Sequence, residues 1–332
     1  MKWRVWLNRM LIPEAMAFLH KHAEVLTSGD LADLPGVDAV IVASTTVVDG
    51  AFMDRAGPRL KVIGRPGMGY DQIDVLAATE RGILVVHVPD GPTESTAEHA
   101  VALMLALAKK VMLGDRAMRA GRMTREHLSP GMEVRGRVVG IVGLGRIGRR
   151  VAEICLRGLD MRVLAYDPYV PPAQARPSEV VLVPRLEDLL SQADFVTLHV
   201  PLLPSTRHLI GEREFNLMKP GAFLINTSRG PVVDEQALIR ALTQGHLAGA
   251  ALDVFDPEPP APDNPLFQLP NVITTPHLGA YTDKAEERLC CGVATQVVQV
   301  LQGVRPPHLV NPEAWPGRAR RTHSRGVEDE GR

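Results

Sequence analysis

Along the first ninety residues, short β-branched runs alternate with amphipathic stretches. The apolar runs cover residues 4–7, 39–42, 60–63 and 83–86, with helix-like stretches such as 13–22 and 74–81 between them. A strand buried on both faces reads as a continuous apolar run, and its crossover to a parallel neighbour usually contains a helix. The alternation therefore predicts βαβ units and a mostly parallel sheet. A longer helical pattern follows from about Ser95 to Gly121. It opens on Ser95-Thr96-Ala97-Glu98, where a hydroxyl can cap free backbone N–H groups.

A second series of buried strands is predicted at 138–142, 162–166, 195–199, 223–226, 250–254 and 272–274, with a weaker one at 180–183. Six or seven strands separated by helices make a complete doubly wound domain. A last helix is predicted over 282–302, placed to return to the first set of strands. Residues 317–332 have almost no apolar content and are expected to be disordered. The expected fold class is thus α/β, with two doubly wound parallel-sheet domains.

Charge narrows the partners. The 332 residues carry 37 Lys and Arg against 38 Asp and Glu, a net charge of −1, which gives no support to nucleic-acid binding. Arg116, Arg119, Arg122 and Arg125 recur every three residues and read as a solvated helix face or subunit contact. The cysteines Cys155, Cys290 and Cys291 have no metal-ligand spacing and read as reduced thiols of a cytoplasmic protein. Lys2, Arg4 and Arg9 interrupt the N-terminal apolar pattern, so no signal peptide is expected. The longest apolar run, 100–108, is too short to span a bilayer.

The sharpest local motif is Gly143-Leu144-Gly145-Arg146-Ile147-Gly148, placed between a predicted strand and a predicted helix. Gly143 permits the tight turn, Gly145 allows backbone to approach a pyrophosphate, and Gly148 lets helix and strand pack closely. The next strand ends in Asp167, 19 residues after Gly148. An acid there accepts from ribose hydroxyls and repels a 2′-phosphate, so NAD is expected as cofactor in preference to NADP.

Three further segments follow predicted strands: Asn226-Thr227-Ser228-Arg229-Gly230, Asp253-Val254-Phe255-Asp256-Pro257-Glu258, and Thr275-Pro276-His277-Leu278-Gly279. Ligands of open α/β sheets sit at the carboxyl ends of the strands. An arginine, an acid and a histidine gathered there suit reduction of a carbonyl by hydride.

With those motifs in order, the chain resembles the D-2-hydroxyacid dehydrogenases, among them phosphoglycerate, hydroxypyruvate and glyoxylate enzymes. The resemblance runs from about Val5 to Pro312 and includes Gly67-Met68-Gly69-Tyr70-Asp71, Ser95-Thr96-Ala97-Glu98-His99, His199-Val200-Pro201 and Met218-Lys219-Pro220-Gly221. It implies a substrate (catalytic) domain from 1–94 and 283–312, flavodoxin-like, and a Rossmann NAD-binding domain from 95–282. No regulatory domain of the long phosphoglycerate dehydrogenases is expected. The implied reaction moves hydride between NAD(H) and a small anionic (R)-2-hydroxy or 2-keto acid, in a homodimer, without nucleic acid, membrane or metal.

The resemblance also implies roles. Arg229 would bind the substrate carboxylate and carbonyl, His277 would exchange the proton, and Glu258 would pair with His277. The N–H groups around Met68 and Gly69 would bind the carboxylate. Arg65 is the candidate for a second anionic group such as phosphate. Arg146 and Ile147 would cover the pyrophosphate, while Thr96 and Thr206 would contact phosphate or nicotinamide. His199, Val200 and Pro201 would line the adenine pocket, and Asp253 would accept from the carboxamide. Thr227, Ser228 and Gly279 complete the implied cofactor contacts. A formate dehydrogenase is disfavoured, because that branch has glutamine where Glu258 stands. A non-catalytic NAD-sensing corepressor remains the alternative from another class.

Overall fold

The computed structural model describes residues 2–315, apart from 123, 172, 174, 176 and 178. The tail 317–332, expected to be disordered, lies outside the described residues. The chain forms two compact units, one built from residues up to Pro92 and from Asp283 onward, the other from Thr93–Thr282.

The first unit contains β1 (Trp3–Leu7), β2 (Ala23–Leu26), β3 (Ala39–Ile41), β4 (Val62–Arg65) and β5 (Leu84–His87). They form one sheet in the order β2-β1-β3-β4-β5, with every pair parallel. This is the flavodoxin-like order. β2 had no counterpart among the expected strands. It follows helix Pro13–His22 directly and sits at the sheet edge, half exposed, so its apolar signal is weak. Helix Asp283–Leu301 packs on the middle of the sheet, where Val293 and Val297 press against Gly64. A Cβ on Gly64 would lie 2.7 Å from Val297 and 2.8 Å from Val293. The C-terminal segment is pinned beside β5 by Asn311, which is fully buried. Its Oδ1 accepts from Val85 N–H at 2.8 Å, and its Nδ2 donates to Ile83 O and Thr79 Oγ1.

The second unit contains β6 (Val138–Val142), β7 (Arg162–Tyr166), β8 (Val181–Leu182), β9 (Phe195–Leu198), β10 (Phe223–Asn226), β11 (Gly249–Leu252) and β12 (Val272–Thr274). The sheet order is β12-β11-β10-β9-β6-β7-β8, again parallel throughout. β6 lies between β7 and β9, so the winding reverses there and opens a ligand crevice at the carboxyl ends of the strands. One face of the sheet is covered by apolar residues that include Leu189, Phe215 and Leu238. The other is covered by helices Thr93–Ala108 and Arg146–Leu159, through Leu103, Met104 and Cys155 among others.

The single helix expected over 95–121 is two helices, Thr93–Ala108 and Val111–Arg119. Lys110 takes a left-handed conformation, φ 54, and breaks the run. Apolar spacing continues across the break, so the pattern alone does not reveal it. The helix also starts before Ser95, whose hydroxyl bonds to Thr282 Oγ1 at 2.7 Å. Ser95 is therefore not the cap residue.

Replacing Asn311 by Ala strands the buried N–H of Val85 and the carbonyl of Ile83. An unmade buried hydrogen bond costs about 1–3 kcal/mol. Asn311→Ala should therefore lower the urea midpoint of unfolding while leaving the m-value unchanged.

Candidate active site

The glycine turn follows β6 directly. Gly143 has φ 94, a left-handed conformation that disfavours side chains, and its N–H donates to Tyr166 O at 2.9 Å. A Cβ at this position would lie 2.7 Å from the carbonyl oxygen of His199 and 2.9 Å from Val200. The turn is thus packed against the His199–Val200 segment beyond β9. Arg149 Nε holds it from below by donating to Leu144 O at 3.0 Å.

The helix that follows the glycine turn begins at Arg146, with Gly145 as its N-cap. A Cβ on Gly145 would meet no protein atom within 4 Å. The first N–H groups of the helix therefore face open space beside a residue that adds no bulk. This is the environment a pyrophosphate requires. Asp167 follows β7; its Oδ2 accepts from Leu144 N–H and its Oδ1 from Tyr169 N–H, both at 2.9 Å. Each carboxylate oxygen keeps capacity for a ribose hydroxyl. The Thr227 hydroxyl is buried and has no protein partner among the described residues. The glycine cradle and the acid fit a dinucleotide of the NAD type.

His199 Nε2 lies 2.9 Å from Thr197 Oγ1. Although part of its surface is exposed, protein encloses the ring, and this desolvation pushes its pKa down to about 3. The Thr206 hydroxyl donates to Pro201 O at 2.6 Å and accepts from Leu203 N–H. It closes its own turn, and its proton is committed there.

The turn after β10 is shaped by Asn226, which is 1% exposed. Asn226 Oδ1 accepts from both the N–H and the hydroxyl of Ser228, and Nδ2 donates to Arg229 O at 2.9 Å. Arg229 Nη1 donates to Ser228 O at 2.7 Å. Gly230 touches the next segment so closely that a Cβ would sit 1.9 Å from Phe255 O. Only glycine permits that approach, and it ties the arginine turn to the chain leading into Glu258.

Beyond β11, Asp253 is 1% exposed. Its Oδ1 accepts from Thr275 Oγ1 at 2.6 Å and Leu278 N–H at 2.7 Å, and its Oδ2 from Gly279 N–H at 2.8 Å. His99 Nε2 stands 3.4 Å from Oδ1. Burial alone would raise the carboxyl's pKa, but the bonds from His99, Thr275, Leu278 and Gly279 outweigh it and hold the pKa below the usual range. Asp253 thus anchors the loop that carries His277. His277 N–H donates to Asp253 O at 3.0 Å, and the residue is left-handed with φ 55. Its Nδ1 lies 2.6 Å from Glu258 Oε1. Thr96 is buried beside Gly279, with its Cγ2 3.4 Å from where a Gly279 Cβ would stand.

In the first unit, Met68 and Gly69 lie in the loop after β4. Arg65, the candidate for a second anion, is buried at 9% exposure. It donates from Nε to Gly69 O at 2.9 Å and from Nη1 to Val42 O at 3.3 Å. Those bonds tie part of its guanidinium to backbone carbonyls of the first unit. Asn226, Thr275 and His99 were not singled out from the sequence as supports of the site. The signal for Asn226 and Thr275 was local, a short polar residue at or just after a strand end.

The depressed His199 pKa has a stability consequence. The unfolded imidazole takes up a proton below about pH 6.5, whereas the folded one stays neutral down to about pH 3. The unfolded state therefore binds more protons in that window, and stability is lost as pH falls through it. Wild-type protein should lose more stability than His199→Gln between pH 7 and pH 5, by up to about 1.4 kcal/mol per pH unit. Urea unfolding of both proteins at the two pH values measures the difference.

Residues 101–279 match the family model described as D-isomer specific 2-hydroxyacid dehydrogenase, NAD binding domain. A D-3-phosphoglycerate dehydrogenase of Archaeoglobus fulgidus is 45% identical over 85% of this chain and 53% of its own. The chain thus spans about half the length of the curated phosphoglycerate dehydrogenases it matches. A glyoxylate reductase of Korarchaeum cryptofilum is 39% identical over 94% of this chain and 97% of its own. A solved structure from Thermus thermophilus superposes with TM-score 0.86 at 38% identity, covering 92% of this chain and 99% of that one. The chain belongs to the D-isomer specific 2-hydroxyacid dehydrogenase family.

Proposed function

We propose that the protein is an NAD-dependent D-2-hydroxyacid dehydrogenase that interconverts a small 2-keto acid and its (R)-2-hydroxy acid. The observation that carries this reading is the 2.6 Å contact between His277 Nδ1 and Glu258 Oε1. An ionised carboxylate only accepts, so Nδ1 carries a hydrogen and Nε2 is left to exchange a proton. In reduction, His277 Nε2 gives its proton to the carbonyl oxygen as C2 receives the hydride. In oxidation, neutral Nε2 takes the hydroxyl proton. Glu258 orients the ring.

Bound NADH supplies the hydride. Arg229 presents a planar, permanently charged guanidinium that binds the carboxylate and polarises the keto oxygen. In the first unit, the N–H groups of Met68 and Gly69 are the proposed contacts for the substrate carboxylate. The first turn of the helix at Arg146 and Ile147 holds the pyrophosphate, and Asp167 takes the ribose hydroxyls and disfavours NADP. His199, Val200 and Pro201 line the adenine side. Asp253 is the proposed acceptor for the carboxamide.

The substrate proposed is a short, unphosphorylated 2-keto acid such as glyoxylate or hydroxypyruvate. One observation supports it: a relative matched over 97% of its own length is named a glyoxylate reductase. We also propose a cytoplasmic homodimer. Helix Val111–Arg119 exposes Val111, Met112 and Met118, an apolar stripe suited to a second copy. The described structure shows all three cysteines as free thiols, as a reducing compartment requires.

An NADH-oxidation screen over glyoxylate, hydroxypyruvate, pyruvate and 3-phosphohydroxypyruvate tests the reading. Glyoxylate or hydroxypyruvate should give the highest kcat/KM, and a preference for the phosphorylated acid would contradict the substrate assignment. His277→Gln should bind NADH with unchanged Kd and lose at least about 100-fold in kcat, the usual contribution of a general acid. Retained kcat in that variant would remove His277 from the mechanism.

A further inference from the structure

The loop that leaves β4 is tied down in an uncommon way. Three successive carbonyls each receive a donor from the protein. Val88 N–H donates to Gly67 O at 2.9 Å, His87 Nδ1 lies 2.8 Å from Met68 O, and Arg65 Nε donates to Gly69 O at 2.9 Å. A carbonyl oxygen only accepts, so Nδ1 of His87 carries the hydrogen. The N–H groups of Met68 and Gly69, in contrast, meet no acceptor among the described residues.

These two facts are one geometric consequence. In a planar trans peptide, the C=O of one residue and the N–H of the next point in opposite directions. Binding Gly67 O to the fold therefore turns the N–H of Met68 away from it. Binding Met68 O does the same for the N–H of Gly69, and binding Gly69 O for that of Tyr70.

We propose that His87 is a positioning residue: by holding the carbonyl of Met68, it aims the N–H of Gly69 at the carboxylate of the substrate, while Arg65 braces the loop through the carbonyl of Gly69. The inference rests on the dehydrogenase reading above and adds the residues that orient its anion loop.

His87 is itself fixed. Its N–H donates to His308 O at 3.3 Å, and its carbonyl accepts from Gln296 Nε2 at 2.8 Å. Gln296 is 2% exposed, and its Oε1 accepts from His308 N–H at 3.0 Å. The Tyr70 ring packs edge-on against the imidazole, with centroids 5.4 Å apart. A ring gripped at its backbone and packed on one side has little freedom to leave Met68 O. Arg65 is held as well, since its second donor reaches Val42 O. Without such ties, a short loop rich in glycine would rotate its peptides freely, and the anion would have to order them at an entropic cost.

Two substitutions of nearly equal size separate donation from packing. His87→Asn places an amide N–H one bond from Cγ, where Nδ1 stands. His87→Leu fills a similar volume without a donor. Both proteins are compared with wild type for Tm, NADH Kd, and kcat and KM for glyoxylate. They are also titrated calorimetrically with oxamate in the presence of NADH. Oxamate carries the carboxylate but is not reduced, so it reads the loop independently of turnover.

The expected result is a rise of about tenfold in KM and in oxamate Kd for His87→Leu, with His87→Asn within about threefold of wild type. Tenfold corresponds to about 1.4 kcal/mol, the size of one misdirected charge-assisted hydrogen bond. NADH Kd should not change in either variant. Equal KM and oxamate Kd in the two variants would overturn the inference, because only packing would then matter. Failure of wild type to bind oxamate would overturn it too. Wild type that binds oxamate with the predicted ordering but reduces no 2-keto acid would instead refute the dehydrogenase reading and leave the loop assignment standing.

Discussion

The carboxylate of Asp253 accepts hydrogen bonds from Thr275, Leu278 and Gly279 and lies beside His99, with almost no access to solvent. Burying a charge without partners costs several kcal/mol, so the site exists only because donors converge on it. Those donors come almost entirely from the loop after β12, and their convergence dictates the path of that loop. His277 is therefore held in a left-handed conformation that a free histidine would rarely adopt. That conformation accompanies the approach of its Nδ1 to Glu258. The proposed proton donor is thus oriented by a group that does not itself touch the imidazole.

The parallel sheet explains why the remaining groups gather nearby. In the second unit, β6, β7, β10, β11 and β12 all run the same way, so the glycine turn, Asp167, Arg229, Glu258 and His277 all emerge at the carboxyl edge. Each element adds a local lock: Gly143 for the turn, Asn226 for the arginine, Asp253 for the histidine loop. The contact between Gly230 and Phe255 links two of these segments through backbone alone. In the first unit, the carbonyls of Gly67, Met68 and Gly69 are each held by a donor from the fold. In both places main-chain orientation is fixed by a few polar side chains.

Much of this was legible in the sequence. The strands at 138–142, 162–166, 223–226 and 272–274 have the expected bounds because each is a β-branched run closed by a turn. Arg229, Glu258 and His277 stood out because charged residues immediately after buried strands have few structural uses. The break at Lys110 was not legible, since helical periodicity survives a single left-handed residue. β2 was hidden because an edge strand needs little apolar sequence. Position in sequence places Arg65 near a loop and does not say which way its guanidinium turns. His87 carries no motif signal of its own in the sequence. Its bond to Met68 joins residues 19 apart, a pairing that only the sheet register of β4 against β5 brings about.

In the proposed reaction, hydride and proton are delivered to a 2-keto acid with fixed handedness by this arrangement of groups. Reducing hydroxypyruvate with NADH that carries deuterium at both C4 positions, and analysing the glycerate, tests this arrangement. The account predicts (R)-glycerate alone, with the deuterium at C2. Racemic or (S)-glycerate, or product without the label, would contradict it.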